Sequence, residues 1–175
     1  HGHRPRRERP AQALVKAALA AKGPLGCDRV NLASFNFNAY SELFPLLSGL
    51  GEHFRHVLAK SERLDLLAGG RGLFRTDDFL DKKSVSLGVE GISDRIRRRL
   101  SKNLPGPLLR KGLSRLLSDG GGQVKLFFLY TGWETAEDLE EFRDLLSFLD
   151  GLASRLPRRS QIILSFSPRV AMPFT

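Results

Sequence analysis

The 175-residue chain is poor in sulfur, with one cysteine, Cys27, and one methionine. A single cysteine excludes an internal disulfide framework and any site built from several thiolates of this chain. It also indicates a reducing compartment, which predicts a cytoplasmic protein. No apolar run is long enough to span a bilayer, so we expect no membrane partner. The basic residues 1–10 lack the apolar core of a secretory signal.

Negative charge is in the minority, with 19 Asp and Glu against 28 Lys and Arg, and the net charge is +9. Such an excess is compatible with a nucleic-acid partner. The cations are spread over several segments and few aromatic residues lie among them, which is more typical of an arginine-rich surface. Binding of nucleic acid therefore stays open without being favoured. The histidines form two pairs without a third ligand at useful spacing, so no metal site is predicted.

Apolar segments alternate with amphipathic ones along the chain. Five segments rich in Val, Ile, Leu and Phe are predicted strands, namely residues 28–34, 54–67, 83–90, 123–132 and 160–170. Helical patterns cover residues 10–22, 40–51, 92–101, 107–118 and 135–155. The last begins at Thr135, a predicted N-cap followed by an acidic first turn. Strands that alternate with helices in this way predict an α/β fold with a parallel sheet. The regular spacing favours a partial or complete βα barrel over a sandwich, and a doubly wound sheet stays open as an alternative.

Ligands of parallel α/β proteins bind beyond the carboxyl ends of the strands. Glu90 stands at such an end, in the stretch "SVSLGVEGISDRIRRRLSKNL" (84–104), where an apolar strand is followed by a small-residue turn and a very basic helix. "YTGWET" (130–135) and "SPRVAMPF" (167–174) follow two further predicted strands. We expect the functional residues in these segments.

Four segments together resemble one family. "SLGVEGISDRIRRRLSKNL" (86–104) resembles the fourth strand and following helix of radical S-adenosylmethionine (SAM) enzymes, and "KLFFLYTGWETAEDLEEF" (125–142) is similar to their fifth. "SERLDLL" (61–67) is similar to the third strand. "ILSFSPRVAMPFT" (163–175) is similar to the sixth strand of the branch that often carries a cobalamin-binding domain. The resemblance implies a partial parallel (β/α) barrel of radical SAM type, a single truncated domain over residues 1–175 with about five βα units and the first unit missing.

The resemblance also implies where SAM binds. Glu90 would accept hydrogen bonds from the SAM ribose, and Lys102 would pair with the SAM carboxylate, with Arg95 and Arg99 as competitors for that role. The remaining implied contacts are Ser34 to Asn36 for the SAM amino group, and Thr131, Gly132 and Pro168 to Met172 for the adenine.

The sequence departs from the family in one decisive respect. The Cys-x-x-x-Cys-x-x-Cys loop that ligates three irons of a [4Fe–4S] cluster is absent, and Cys27 is alone. We therefore expect a fragment cut at both ends, whose cluster ligands lie outside these residues and which does not cleave SAM by itself. The implied cofactors of the full-length enzyme are SAM, the cluster and, in that branch, cobalamin, with a small-molecule or peptide substrate.

Two alternatives to the enzyme interpretation stay open. The chain can be a non-catalytic basic α/β module that binds RNA or another polyanion, or a degenerate barrel that has lost its cluster. Individual residues carry alternatives too. Glu90 can be a helix N-cap or the partner of a nearby arginine, Arg63 and Asp65 can form a simple ion pair, and Trp133 can pack over the barrel mouth rather than stack on substrate.

Overall fold

A computed structural model describes residues 7–33, 37–59, 63–69, 84–118, 123–155 and 161–170. By their internal contacts these residues belong to two compact units. The first unit contains the described residues up to 59, and the second contains those from 63 onward. No helix among the described residues combines the length and apolarity needed to cross a bilayer.

The first unit is a small α/β arrangement. Its elements are α1 (Ala11–Leu25), β1 (Arg29–Leu32), a 3-10 turn (Phe37–Ala39), α2 (Leu43–Gly51) and β2 (His56–Ala59). β1 and β2 pair in parallel, from Arg29 opposite His56 to Leu32 opposite Ala59. The leucines of α2 recur at helical spacing and are buried, which gives this helix its apolar face.

The second unit holds the larger sheet. Its elements are α3 (Leu64–Ala68), β3 (Ser84–Glu90), α4 (Asp94–Arg99), α5 (Gly106–Ser118), β4 (Gln123–Tyr130), α6 (Ala136–Ala153) and β5 (Gln161–Pro168). The strand order is β3-β4-β5, and both pairings are parallel. Parallel strands need a crossover connection between them. Here α4 and α5 connect β3 to β4, and α6 connects β4 to β5.

The core of the second unit lies on one face of this sheet. Alternate strand residues such as Leu87, Leu126 and Leu164 pack with leucines of α3, α5 and α6. Three phenylalanine rings extend this core. The Phe128 ring stacks on the Phe166 ring with 5.1 Å between centroids, and it contacts the Phe142 ring edge-on at 5.5 Å. Because side chains alternate along a strand, the opposite face carries residues such as Gly88, Phe127 and Ser165.

The predicted α/β class with parallel strands is confirmed. Over the described residues the strands form a two-stranded and a three-stranded sheet, and neither closes into a barrel. Apart from the strand predicted over residues 54–67, the predicted helices and strands correspond to observed ones, with ends that differ by a few residues. The predicted single domain over residues 1–175 stays a prediction.

One predicted strand is wrong over part of its length. The strand expected over residues 54–67 ends at Ala59, and Leu64–Ala68 is a helix, although "SERLDLL" was compared with a third strand. Leu64, Leu67 and Ala68 have helical spacing and are buried together. This short helix packs on α5 at Gly112, where an added Cβ would lie 2.9 Å from Leu64 Cγ. Packing against α5 therefore favours helix over strand here.

Candidate functional site

The carboxyl ends of the three strands in the larger sheet meet at one edge. Glu90 is the last residue of β3, Thr131 directly follows β4, and Pro168 is the last residue of β5. Pro168 lies opposite Tyr130 in the parallel register, and Glu90 lies opposite Phe128. The sequence analysis placed Glu90 and Thr131 on one rim, and these strand ends do lie together.

Glu90 is held in an unusual backbone conformation. The register shifts between Gly88 and Glu90, and Glu90 has φ 70°, which a residue with a Cβ adopts only at a cost of about 1–2 kcal/mol. The turn aims the carboxylate back over β3, because a Cβ on Gly88 would lie 2.2 Å from Glu90 Oε1. Glycine at position 88 is thus what leaves room for the carboxylate.

Lys102 is brought to Glu90 by the end of α4. The backbone N–H groups of Ser101 and Lys102 donate to the carbonyls of Arg98 (3.0 Å) and Arg97 (2.8 Å), the two bonds of a Schellman C-cap. Ser101 takes the left-handed position of this motif with φ 55°, where glycine is usual. The Lys102 ammonium then lies 3.8 Å from Glu90 Oε1.

The two residues with strained backbone conformations, Glu90 and Ser101, both lie at the Glu90–Lys102 pair. Glu90 and Ser101 are the non-glycine residues of the described chain with positive φ, and they set the two ends of the Glu90–Lys102 pair. Both charged side chains keep about a third of their surface exposed, 32% for Glu90 and 35% for Lys102. Strained backbone conformations persist only where the surrounding structure holds them, and they are found mainly at functional sites. The pair is therefore the leading candidate site.

Arg97 holds the segments on either side of this pair. Its side chain is 2% exposed. Nε donates to the Leu104 carbonyl at 2.7 Å, and Nη1 donates to the Gly91 carbonyl at 3.0 Å. Nη2 pairs with Asp94 and lies 3.2 Å from Glu141 Oε1. Since Gly91 follows Glu90 and Leu104 lies two residues beyond Lys102, one buried guanidinium fixes the spacing of the pair.

Arg95 is engaged elsewhere. Its guanidinium pairs with Asp138 in the first turn of α6 and donates to the Trp133 carbonyl at 2.6 Å. Asp138 is 3% exposed, and it also accepts from the Ser93 hydroxyl at 2.5 Å and from the backbone N–H of Thr135 at 2.8 Å. The Arg95 guanidinium, with these donors, holds the pKa of Asp138 well below its usual range.

These contacts decide between the alternatives for Glu90. The N-cap of α4 is Ser93, whose hydroxyl accepts from the backbone N–H of Ile96 at 3.1 Å, so Glu90 is not the cap. Among the described residues, the basic partner of Glu90 is Lys102. Among the three predicted competitors, Lys102 is the cation that the structure places beside Glu90.

The turn after β4 is a compact polar structure. Glu134 Oε1 accepts from the Thr131 backbone N–H at 2.8 Å and from its hydroxyl at 2.7 Å. Burial opposes ionisation of Glu134, but these hydrogen bonds outweigh it and lower its pKa. Gly132 has φ 77°, a conformation suited to glycine in this turn. The backbone N–H and the hydroxyl of Thr131 are thus both hydrogen-bonded to Glu134. Thr131 is a structural residue of the turn at this sheet edge.

The indole ring of Trp133 contacts the guanidinium groups of two arginines. The Arg99 Cζ lies 3.9 Å from the centroid of the indole, and the Arg169 Cζ lies 4.6 Å from it. Arg99 comes from α4, Trp133 follows β4, and Arg169 follows β5, so the group is assembled at the same sheet edge as Glu90. Trp133 was expected either to pack over the barrel mouth or to stack on substrate. Neither expectation included contacts with Arg99 and Arg169.

Of the predicted SAM contacts, Ser34 to Asn36, Ala171 and Met172 lie outside the described residues. The predicted Arg63–Asp65 ion pair is present, with Nη2 2.5 Å from Oδ2. Sequence reasoning missed Arg97 and Asp138. The i, i+3 spacing of Asp94 and Arg97 and the Thr135-x-x-Asp138 capping pattern were the available signals.

The Glu90–Lys102 pair can hold a ligand chemically. A charge-assisted N–H···O bond is about 2.7–2.9 Å long, so at 3.8 Å both groups keep hydrogen-bonding capacity for a third party. The carboxylate can accept from hydroxyls and the ammonium can donate to a carboxylate. Within the described residues no three His, Cys, Asp or Glu side chains lie together as a metal site would require.

Neither comparison by sequence identifies a relative. A scan against protein-family models gives no match. A search of curated proteins gives none either.

Proposed function

We propose that this chain binds SAM at the carboxyl edge of the β3-β4-β5 sheet, as part of an enzyme of the radical SAM type. The observation that carries the proposal is the Glu90–Lys102 pair, whose two ends are each set by a left-handed, non-glycine residue at the strand-to-helix turn. That is the position at which the resemblance expected the ribose and carboxylate of SAM to be held.

Each residue has a role that follows from its chemistry. Glu90 accepts hydrogen bonds from the vicinal ribose hydroxyls, and Lys102 donates to the SAM carboxylate. Thr131, Gly132 and Pro168 lie at the ends of β4 and β5, where the adenine would rest. Arg97 acts through the backbone, since its hydrogen bonds to the neighbouring carbonyls hold Glu90 and Lys102 at their separation.

The proposal extends to the fold and to the cluster. We propose that the β1-β2 pair and the β3-β4-β5 sheet, each parallel within itself, are parts of a partial (β/α) barrel of the radical SAM type. The [4Fe–4S] cluster would supply the electron that cleaves SAM, and residues 1–175 do not fit it because Cys27 is the single cysteine. For these residues the proposed activity is therefore SAM binding, and cluster ligands, any cobalamin and the substrate contacts would come from outside them.

Calorimetric titration with SAM tests the proposal on the full chain. We expect saturable binding that Glu90→Ala weakens at least about tenfold, because charge-assisted hydrogen bonds are worth about 1.5–3 kcal/mol. Arg98→Gln is the control for a nearby charge change, since Arg98 is exposed on α4, the helix that follows Glu90, and pairs with no side chain of the described residues. Equal SAM binding by the unchanged chain, Glu90→Ala and Arg98→Gln would refute the site.

Gly88→Ala tests the geometry without changing charge. The new Cβ would lie 2.2 Å from Glu90 Oε1 and would force the carboxylate away from its position. Because the displaced atom ends a flexible side chain, we expect the melting temperature to change little while SAM binding weakens. Unaltered affinity in this variant would show that the orientation of the Glu90 carboxylate is irrelevant.

The polyanion-binding module is the second candidate, and one observation favours it. Arg98 and Arg99 are exposed on α4 and form no ion pair within the described residues. Binding of a single-stranded RNA oligonucleotide that falls steeply with salt and is weakened by Arg98→Gln would support it. Absence of such binding at low salt would remove this candidate.

A further inference from the structure

The strongest unassigned feature is the group formed by Arg99, Trp133 and Arg169. Both guanidiniums lie over the same indole, 3.9 and 4.6 Å from its centroid. Trp133 is half-buried, and both arginines are exposed. Stacking on an aromatic face holds a guanidinium in place while leaving its N–H groups free at the edge of the plane.

The charge of this group is not neutralised by the protein. Neither Arg99 nor Arg169 forms an ion pair or a side-chain hydrogen bond with a carboxylate in the described part of the chain. Both guanidiniums lie within 4.6 Å of one ring centroid, so two like charges are held close together. A group of this kind gains stability when an anion lies between or beside the two cations.

The neighbouring cations behave differently. Arg95 is paired with Asp138, Arg97 is buried against Asp94, and Lys102 lies beside Glu90. The basic run of α4 is therefore not a continuous positive stripe of the kind that follows a nucleic-acid backbone. At the sheet edge, Arg99 of α4 and Arg169 after β5 instead lie together on the indole of Trp133.

We propose that Arg99 and Arg169, stacked on Trp133, form a binding site for the phosphate group of a small phosphorylated ligand. A guanidinium offers parallel N–H donors that match the oxygens of a phosphate, and both arginines contact the same indole. The site uses neither Glu90 nor Lys102, but Trp133 and Arg169 directly follow Gly132 and Pro168, where the adenine of SAM is proposed to rest. The two proposals are tested with different ligands and different variants, so either can fail alone.

Tryptophan fluorescence of the full chain tests the site directly, because Trp133 is the single tryptophan of the sequence. The probes are inorganic phosphate and glycerol phosphate, titrated at constant ionic strength maintained with potassium chloride. We expect a saturable change in Trp133 emission with both probes. Arg99→Gln and Arg169→Gln should each weaken binding about tenfold, as loss of a charge-assisted hydrogen-bonding partner does.

Arg98→Gln is the control with the same loss of charge on the same helix, and it should bind phosphate like the unchanged chain. Thermal melting of every variant shows whether it is folded, and Arg99→Lys keeps the charge while removing the planar stack, so it should bind less tightly than arginine does.

Three results would overturn the proposal. One is an emission change that does not saturate, and another is an equal loss of affinity in Arg98→Gln, since both indicate general screening of charge. The third is binding of a single-stranded RNA oligonucleotide far tighter than that of glycerol phosphate and dependent on Arg98, which would indicate a polyanion surface.

Discussion

Replacing Arg97 by methionine should lower the free energy of unfolding of the second unit by about 3–5 kcal/mol, the usual cost of breaking a buried charge network by removing one partner. Methionine is long enough to fill much of the same space but has no donors. The variant therefore removes the hydrogen bonds to Leu104, Gly91, Asp94 and Glu141 while keeping apolar packing.

The size of the expected stability loss follows from the groups that lose Arg97 as their hydrogen-bond partner. The Gly91 and Leu104 carbonyls are in buried residues, and each unpaired buried acceptor costs about 1–3 kcal/mol. Asp94 and Glu141 have 36% and 41% of their side-chain surface exposed, so water can replace their partner and they add less. The two carbonyls thus account for most of the expected loss.

Urea unfolding followed by Trp133 fluorescence measures this loss, because Trp133 lies in the second unit. Arg98→Met is the matched control: it removes the neighbouring charge from an exposed position, and its effect should stay within about 0.5 kcal/mol. A loss below about 1 kcal/mol for Arg97→Met, or equal losses for both variants, would show that Arg97 does not organise the 90–106 segment.

Three further predictions concern the same unit, each measured by urea unfolding. Asp138→Asn should lower stability at neutral pH, because the amide cannot accept the hydrogen bonds from Ser93, Thr135 and Arg95 as the carboxylate does. Because the folded pKa of Asp138 lies below its unfolded value of about 3.9, the stabilisation is complete above about pH 5 and is lost as pH falls. The difference between variant and unchanged chain should therefore shrink between pH 6 and pH 3, and a constant difference would contradict the assignment. Gly112→Ala should cost about 1–3 kcal/mol, because its Cβ would lie 2.9 Å from Leu64 Cγ and 3.0 Å from the Leu64 carbonyl oxygen; a neutral effect would mean that α3 and α5 can separate freely. Ser101→Gly should raise stability by about 0.5–1 kcal/mol by relieving its positive φ, and a loss of stability would show that the serine side chain matters more than the strain.

Most secondary structure was predictable because it depends on periodicity and local signals. Thr135 was expected as an N-cap and is the N-cap of α6. The failure at Leu64–Ala68 has a physical cause, because a short apolar run fits a buried strand or a buried helix equally well. Contact with α5 decided the outcome, and that contact is between residues far apart in the sequence.

The candidate site was predictable in part. The rule that ligands bind at the carboxyl ends of parallel strands led to Glu90, and the resemblance led to Lys102. The competitors Arg95 and Arg99 could not be excluded by spacing, because all three follow the same strand within 12 residues of Glu90. Their roles depend on Asp138 and Trp133, which come from the next βα unit.

The sequence by itself determined the alternation of strands and helices, the parallel α/β class and the position of Glu90 at a strand end, since apolar periodicity and capping act over a few residues. Only the tertiary structure decided which cation meets Glu90, which arginine is buried and which two arginines lie on Trp133. Those choices depend on side chains from separate elements, and packing brings them together only after the sheet and its helices have formed.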